Sequence, residues 1–276
     1  QCSYFLTFDA TYTFEDHKIK CHRVFRCYLP ENHLLVRLNN SLANNNSYNE
    51  NKGLFMLKKI ASVIVYFKSL LQTDRQPSAI SIYFIHFNKK IAYHSKKNHH
   101  GHNTKDVKIL TPSEINTGLT DGEQIIITRQ EEYLKTLIHE CIHFYGLDFR
   151  HIPQSLTNYL YKTFHIQKMN PKEDSQLYIF EAYTDFLANI LYLTMIHPYY
   201  SNSGNNSISL ADMFKKQARY TLKKSAAVLS YFDCLLFEDV LKGVDKCKII
   251  QDTNCLSYYI IKGCFFYKWY MSLSLM

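Results

Sequence analysis

The sequence predicts an α+β protein with a mixed α/β N-terminal lobe over residues 1–146 and a mainly helical lobe over 147–276. Three observations carry this. Short runs with β character and one long amphipathic stretch occupy the first third of the chain. A strongly periodic helix follows a short apolar strand near residue 128. Beyond it the long apolar runs read as helices.

In chain order, residues 2 to 38 read as short strands, for example Tyr4 to Phe8 and Leu34 to Leu38, and the polar stretch Asn39 to Asn51 reads as a loop. From Leu54 to Leu71 the apolar residues Leu57, Ile60, Ile64, Phe67 and Leu71 recur at three- and four-residue steps, which predicts a helix that Pro77 prevents from continuing. Ala79 to Phe87 is a strand, and Ile91 to His94 can pair with it across Asn88-Lys89-Lys90. Gly118 to Gly122 reads as a turn, and Gln124 to Thr128 as a short strand leading into the next helix. Asp174 to Ile196 reads as a long, largely buried helix ended by Pro198, Ser201 to Ser209 as a loop, and Leu210 to Phe237 as helical. The aromatic-rich segment Cys255 to Met271 has no assignable period, and no internal repeat is visible.

Composition narrows the class. With 276 residues, 46% of them hydrophobic and 15% aromatic, the chain can bury a large core, which excludes a disordered polymer. No run reaches the roughly 18 to 20 apolar residues of a membrane span; the nearest, Ile179 to Ile196, carries Glu181, Asp185 and Asn189. The formal charge of +8 is scattered, with nothing denser than doublets such as Lys96-Lys97 and Lys215-Lys216, so it reads as a solvated basic surface and no nucleic-acid partner is expected. The abundance of Asn, Lys, Ile, Tyr and Phe suits an AT-biased coding sequence, as in viruses or parasites. Because the sequence begins at Gln1, removal of a signal peptide, propeptide or anchor is compatible with it.

Eight cysteines, at positions 2, 21, 27, 141, 234, 247, 255 and 264, form no CxxC pair, which argues against a zinc knuckle. The N-terminal three and the cluster Cys234 to Cys264 are candidates for disulfides, whereas Cys141 is expected free. If cysteines pair, the chain belongs in a secreted or virion-associated setting, and otherwise inside a cell. The N-x-Ser triplets at Asn39, Asn45 and Asn205 suit secretion but arise easily in an Asn-rich chain. His99, His100 and His102 are read as a solvated loop, since consecutive loop residues have no fixed ligand geometry.

Thr128-Arg129-Gln130-Glu131 has a capping-box pattern and should start a helix, with Leu134, Ile138, Cys141, Ile142 and Tyr145 as its apolar stripe and Gly146 at its end. His139 and His143 lie one turn apart on the same face. In His139-Glu140-Cys141-Ile142-His143 two neutral imidazoles at i and i+4 can reach one Zn²⁺, while the intervening glutamate points at a water on the open position. A hydrolytic zinc needs a third protein ligand. Glu181 is the candidate, with Asp185 one turn later, where it can accept a hydrogen bond from a ligating imidazole. Both carboxylates sit among Tyr178, Ile179, Phe180, Phe186, Leu187, Ile190 and Leu191, where an unpaired charge is costly.

HExxH followed by ExxxD on a second helix resembles the gluzincin metallopeptidases, the thermolysin-like group. That resemblance covers about 60 residues, His139 to Asp185 and their helices. It implies a zincin-like two-lobed fold with the site between the lobes. It also implies one zinc ion held by His139, His143 and Glu181, with Glu140 as general base and Asp185 as partner of His139. The substrate it implies is a protein or peptide, and the oxyanion donor is a downstream His197, Tyr183, Tyr199 or Tyr200. The strand Gln124 to Thr128 could take an extended substrate by strand addition. The cysteine at the third motif position is unusual for the family. Two alternatives remain: a catalytically silent, metallopeptidase-like structural or interaction protein, and a metzincin, HExxHxxGxxH. Gly146 fits the metzincin pattern, but Phe149 stands where its third histidine belongs, and His151 lies two residues too far.

Overall fold

The computed structural model describes residues 6–15, 18–29, 32–40, 50–84, 117–127, 132–149, 152–168, 178–201, 208–247, 249–251 and 254–274. It is of the broad α+β class. The chain forms two compact units, Gln1–Asn88 with Thr117–Leu147, and Lys89–Asn116 with Asp148–Met276.

The first unit is built on a six-stranded sheet. Strands β1 (Leu6–Glu15), β2 (Lys18–Leu29) and β3 (Asn32–Asn40) form an antiparallel meander, longer than the short strands expected from sequence. Helix α1 (Glu50–Leu71) then crosses to β4 (Ala79–Phe84), which pairs parallel to β3. The helix starts four residues before Leu54, so the expected loop keeps only positions 41–49, which lie outside the described residues. Ile60, Ile64 and Phe67 are fully buried, as their spacing predicts, because a helix joining parallel strands must turn one apolar stripe to the sheet.

β5 (Gly118–Thr120) and β6 (Gln124–Ile127) complete the sheet in the order β1-β2-β3-β4-β6-β5. β6 runs parallel to β4, with Ile80 opposite Ile125 and Ile82 opposite Ile127, while β5 is antiparallel to β6 and forms the edge. Two expectations change here. Gly118 to Thr120 is a strand rather than part of a turn, and the turn is confined to the residues after it. β6 is hydrogen-bonded on both sides, so it cannot add a substrate strand; among the described residues the sheet ends at β5. Ile125 and Ile127 are buried and alternate with half-buried neighbours. Helix α2 (Tyr133–Phe144) packs against β5 and β6.

The second unit is helical: α3 (Gln154–Thr163), α4 (Ile179–Ser201), α5 (Leu210–Tyr231), α6 (Phe237–Lys242), a π-helix at Leu256–Ile261 and α7 (Lys262–Ser274). β7 (Gln167–Lys168) and β8 (Ile250–Gln251) form a small parallel pair. Its core gathers Ala182, Val228, Phe232, Val240, Leu256 and Ile260. Phe186 packs on Phe265, Phe266 and Trp269.

α4 does not stop before Pro198. The ring removes only the bond to the carbonyl four residues back, and Ser201 Oγ donates to the Pro198 carbonyl at 3.2 Å in the final turn. The helix expected to reach Phe237 breaks at Phe232, where Asp233 is left-handed (φ 59°) and a disulfide joins Cys234 to Cys247. The segment without a readable period is the π-helix followed by α7, and the i→i+5 bonding of the π-helix departs from the 3.6-residue repeat. Ser225 Oγ donates to the Tyr259 carbonyl there at 2.6 Å. A Cβ on Gly263 would overlap that hydroxyl, so glycine is what lets α5 and α7 close on it.

Candidate metal centre

Helix α2 sets the first half of the site. It begins at Tyr133, five residues after Thr128, and its first flanking residue Glu132 is left-handed (φ 59°) without a side-chain cap, so the helix does not begin at Thr128. The proposed capping box at positions 128–131 lies outside the described residues. The other end is as expected: Gly146 (φ 68°) donates to the His143 carbonyl at 3.1 Å and Leu147 to the Ile142 carbonyl at 2.9 Å, the paired bonds of a glycine-terminated helix.

Within α2, His139 is buried and His143 half-buried, and their Nε2 atoms are 3.0 Å apart. Two nitrogens bound to one tetrahedral ion at about 2.0 to 2.1 Å would stand about 3.3 Å apart, so the rings are within a few tenths of an ångström of that separation. The imidazoles are therefore placed to share an ion.

Glu140, 5% exposed, turns toward the edge strand. Thr120 Oγ1 donates to its Oε2 at 2.7 Å. A Cβ at Gly118 would come within 2.5 Å of Glu140 Oε1 and 2.7 Å of Thr136 Cγ2, so the absent side chain is the space the carboxylate occupies. The hairpin that presents Thr120 is held by Asp121, whose carboxylate accepts the Gln124 N–H at 2.8 Å, the Glu123 N–H at 3.0 Å and the Gln124 side-chain amide at 2.9 Å. Those bonds, led by the Gln124 backbone, hold the Asp121 carboxyl below the usual range.

Cys141 is fully buried and free, as expected. Burial raises its thiol pKa well above the ordinary value, and the Glu140 charge adds to the shift.

The second unit carries the acidic pair. Glu181 lies in the first turn of α4 and accepts a hydrogen bond on Oε2 from Tyr258 Oη at 2.9 Å. Asp185, one turn on, is buried and pairs with Lys262 Nζ. Sequence reasoning missed Tyr258 and Lys262; both lie in the segment whose period was unreadable.

His139, His143 and Glu181 each offer one ligand atom, these atoms lie within 4.8 Å of one another, and the three could hold a metal ion. Known families, curated proteins and solved structures yield no match to the chain.

The remaining candidates divide. Tyr183 is half-buried and packs on Phe149 at 5.1 Å between ring centroids. His197, Tyr199 and Tyr200 are in the last turns of α4, roughly 24 to 29 Å along the helix axis from Glu181 at 1.5 Å per residue. They are too distant to stabilise charge beside that carboxylate. His99, His100, His102 and His151 lie outside the described residues, as do Asn45, Asn205 and the proposed strand Ile91 to His94. Among the described residues, Cys234–Cys247 is the disulfide and Cys141, Cys255 and Cys264 are free. No helix among the described residues is long and apolar enough to cross a membrane.

Proposed function

We propose that the chain is a zinc-dependent peptidase of the gluzincin type with a zincin-like fold, in which His139, His143 and Glu181 hold the metal and Glu140 is the general base. The observation that carries the reading is the two-imidazole, one-carboxylate donor group, which matches the three protein ligands of hydrolytic zinc and contains no thiolate. Bound zinc would supply a Lewis acid and lower the pKa of a coordinated water to about 7.

The protein's own part begins with Glu140, which accepts a proton from the attacking water and returns it to the leaving amine. Thr120 holds one oxygen of that carboxylate, fixing which oxygen faces the reaction. β5, the last strand of the sheet among the described residues, takes an extended peptide by main-chain pairing in this reading, beside the general base. Asp185 supports a ligating imidazole in this reading, with Lys262 neutralising it. The Cys234–Cys247 bridge favours an oxidising compartment, secreted or virion-associated.

The test is Glu140→Gln. The amide oxygen still accepts the Thr120 hydroxyl, now in a bond between neutral groups, so the fold and the zinc content should be kept with only a small drop in melting temperature while hydrolysis of denatured casein falls by about 10² to 10⁴-fold. Parent protein without zinc, or equal hydrolysis by parent and variant, overturns the proposal; the latter with zinc retained is what a catalytically silent protein would give.

A further inference from the structure

Three hydrogen-bonded or ionic ties join the segment that leads into α4 to the one that runs through the π-helix to the start of α7. Asn254 Oδ1 accepts the Tyr178 N–H at 3.3 Å, Tyr258 Oη donates to Glu181 Oε2 at 2.9 Å, and Lys262 Nζ pairs with Asp185. The partners advance together, 178, 181 and 185 on one segment and 254, 258 and 262 on the other, about one turn per rung. Two segments whose numbering rises in step run in the same direction, so the rungs fix their register as well as their distance. Asn254 also accepts the Tyr258 N–H on its carbonyl at 2.9 Å, which ties the first rung to the second through the backbone.

We infer that Tyr258 is a positioning residue for Glu181: its hydroxyl engages Oε2 and so commits the other oxygen, Oε1, as the one that meets a metal ion. The inference rests on the zinc-centre reading and concerns the mode of ligation. A carboxylate free to offer both oxygens can chelate and raise the coordination number, whereas an oxygen that accepts a phenol O–H is the weaker donor of the two, which favours one-oxygen ligation and suits a four-coordinate ion with one open position. Hydrogen bonds to ligating carboxylates orient them and tune the metal. The middle rung is placed to do this, because Asn254 and Lys262 fix the segment on either side of it. The local winding is itself a pointer, since π-turns inside helices recur at functional sites.

The experiment compares the chelator-stripped full chain with Tyr258→Phe, which keeps the ring and removes only the donor. Zn²⁺ affinity is read by competition with a chromogenic chelator, and geometry by the visible d–d absorption after loading with Co²⁺. The variant should bind Zn²⁺ about 10- to 100-fold more weakly. Its Co²⁺ bands should lose intensity as Glu181 chelates and the ion leaves four-coordination. A merely structural tyrosine would not change the spectrum of the loaded protein. Ser257→Ala, on the same π-helix but outside the ladder, should alter neither readout. If metal-free Tyr258→Phe does not fold, Tyr258→Met, equally without a donor, takes its place. Parent and variant alike in affinity and spectrum overturn the role of Tyr258 and leave the zinc centre standing. A parent that binds neither ion overturns the zinc centre, and the inference with it.

Discussion

The hydroxyl of Thr120 and the carboxylate of Glu140 meet at 2.7 Å, joining the edge strand of the sheet to the middle of the helix that carries both histidines. Because Glu140 is buried, this bond substitutes for water that a surface carboxylate would have. Thr120→Val keeps the shape of the side chain and removes the donor, so it should cost about 1.5 to 3 kcal/mol of stability, the range for a hydrogen bond to a charged group. Peptide hydrolysis should fall with zinc content unchanged. Thr120→Ser should restore both, and urea denaturation beside a casein assay distinguishes them. Equal behaviour of the valine variant and the parent would show that Thr120 does not orient the base.

Asp185 and Lys262 form a second buried relationship, with side chains 9% and 12% exposed. Removing either member breaks a buried ion pair, which typically costs about 3 to 5 kcal/mol, whereas replacing both with apolar residues of similar volume is often neutral. Lys262→Met and Asp185→Leu should each lower the melting temperature markedly, and the double variant should recover most of the loss. If Asp185 also supports a zinc-bound imidazole, the double variant regains stability but stays weaker in zinc affinity. Recovery of both would confine Asp185 to the ion pair.

The bridge between Cys234 and Cys247, with 13 residues of sequence separation, closes a short loop that contains α6. By loop length it should stabilise the fold by roughly 3 kcal/mol. Cys234→Ser with Cys247→Ser should therefore melt several degrees lower than the parent, and reductant should bring the parent down to the same temperature. A parent indifferent to reductant would mean that the bridge does not form in solution.

How much of this was legible in the sequence depends on how local each feature is. His139, Glu140 and His143 and the Gly146 stop follow from i, i+4 geometry within one helix, and the stripe Ile60, Ile64, Phe67 follows from the same period. Pairing partners do not: β6 reads as a strand from its isoleucines, but only the sheet shows that β4 and β5 flank it and leave β5 at the edge. Gly118 looked like a turn glycine because nothing near it in sequence signals a carboxylate 22 positions later. Tyr258 and Lys262 lie 77 residues from their partners, in a stretch where a π-helix running into an α-helix hides the period.

The free cysteines among the described residues are sorted by accessibility. Cys264 is exposed, Cys255 is buried with its thiol pushed up to about 12 by desolvation, and Cys141 sits wholly inside α2 between the two histidines in sequence. The thiolate is the form that oxidants and alkylating agents attack, so of the free cysteines among the described residues Cys264 reacts first and Cys141 last. A donor group of two imidazoles and a carboxylate has no sulfur to lose. If that group holds an ion, oxidative conditions that strip metal from thiolate centres should leave it in place, and the cysteine at the middle of its helix should stay unmodified.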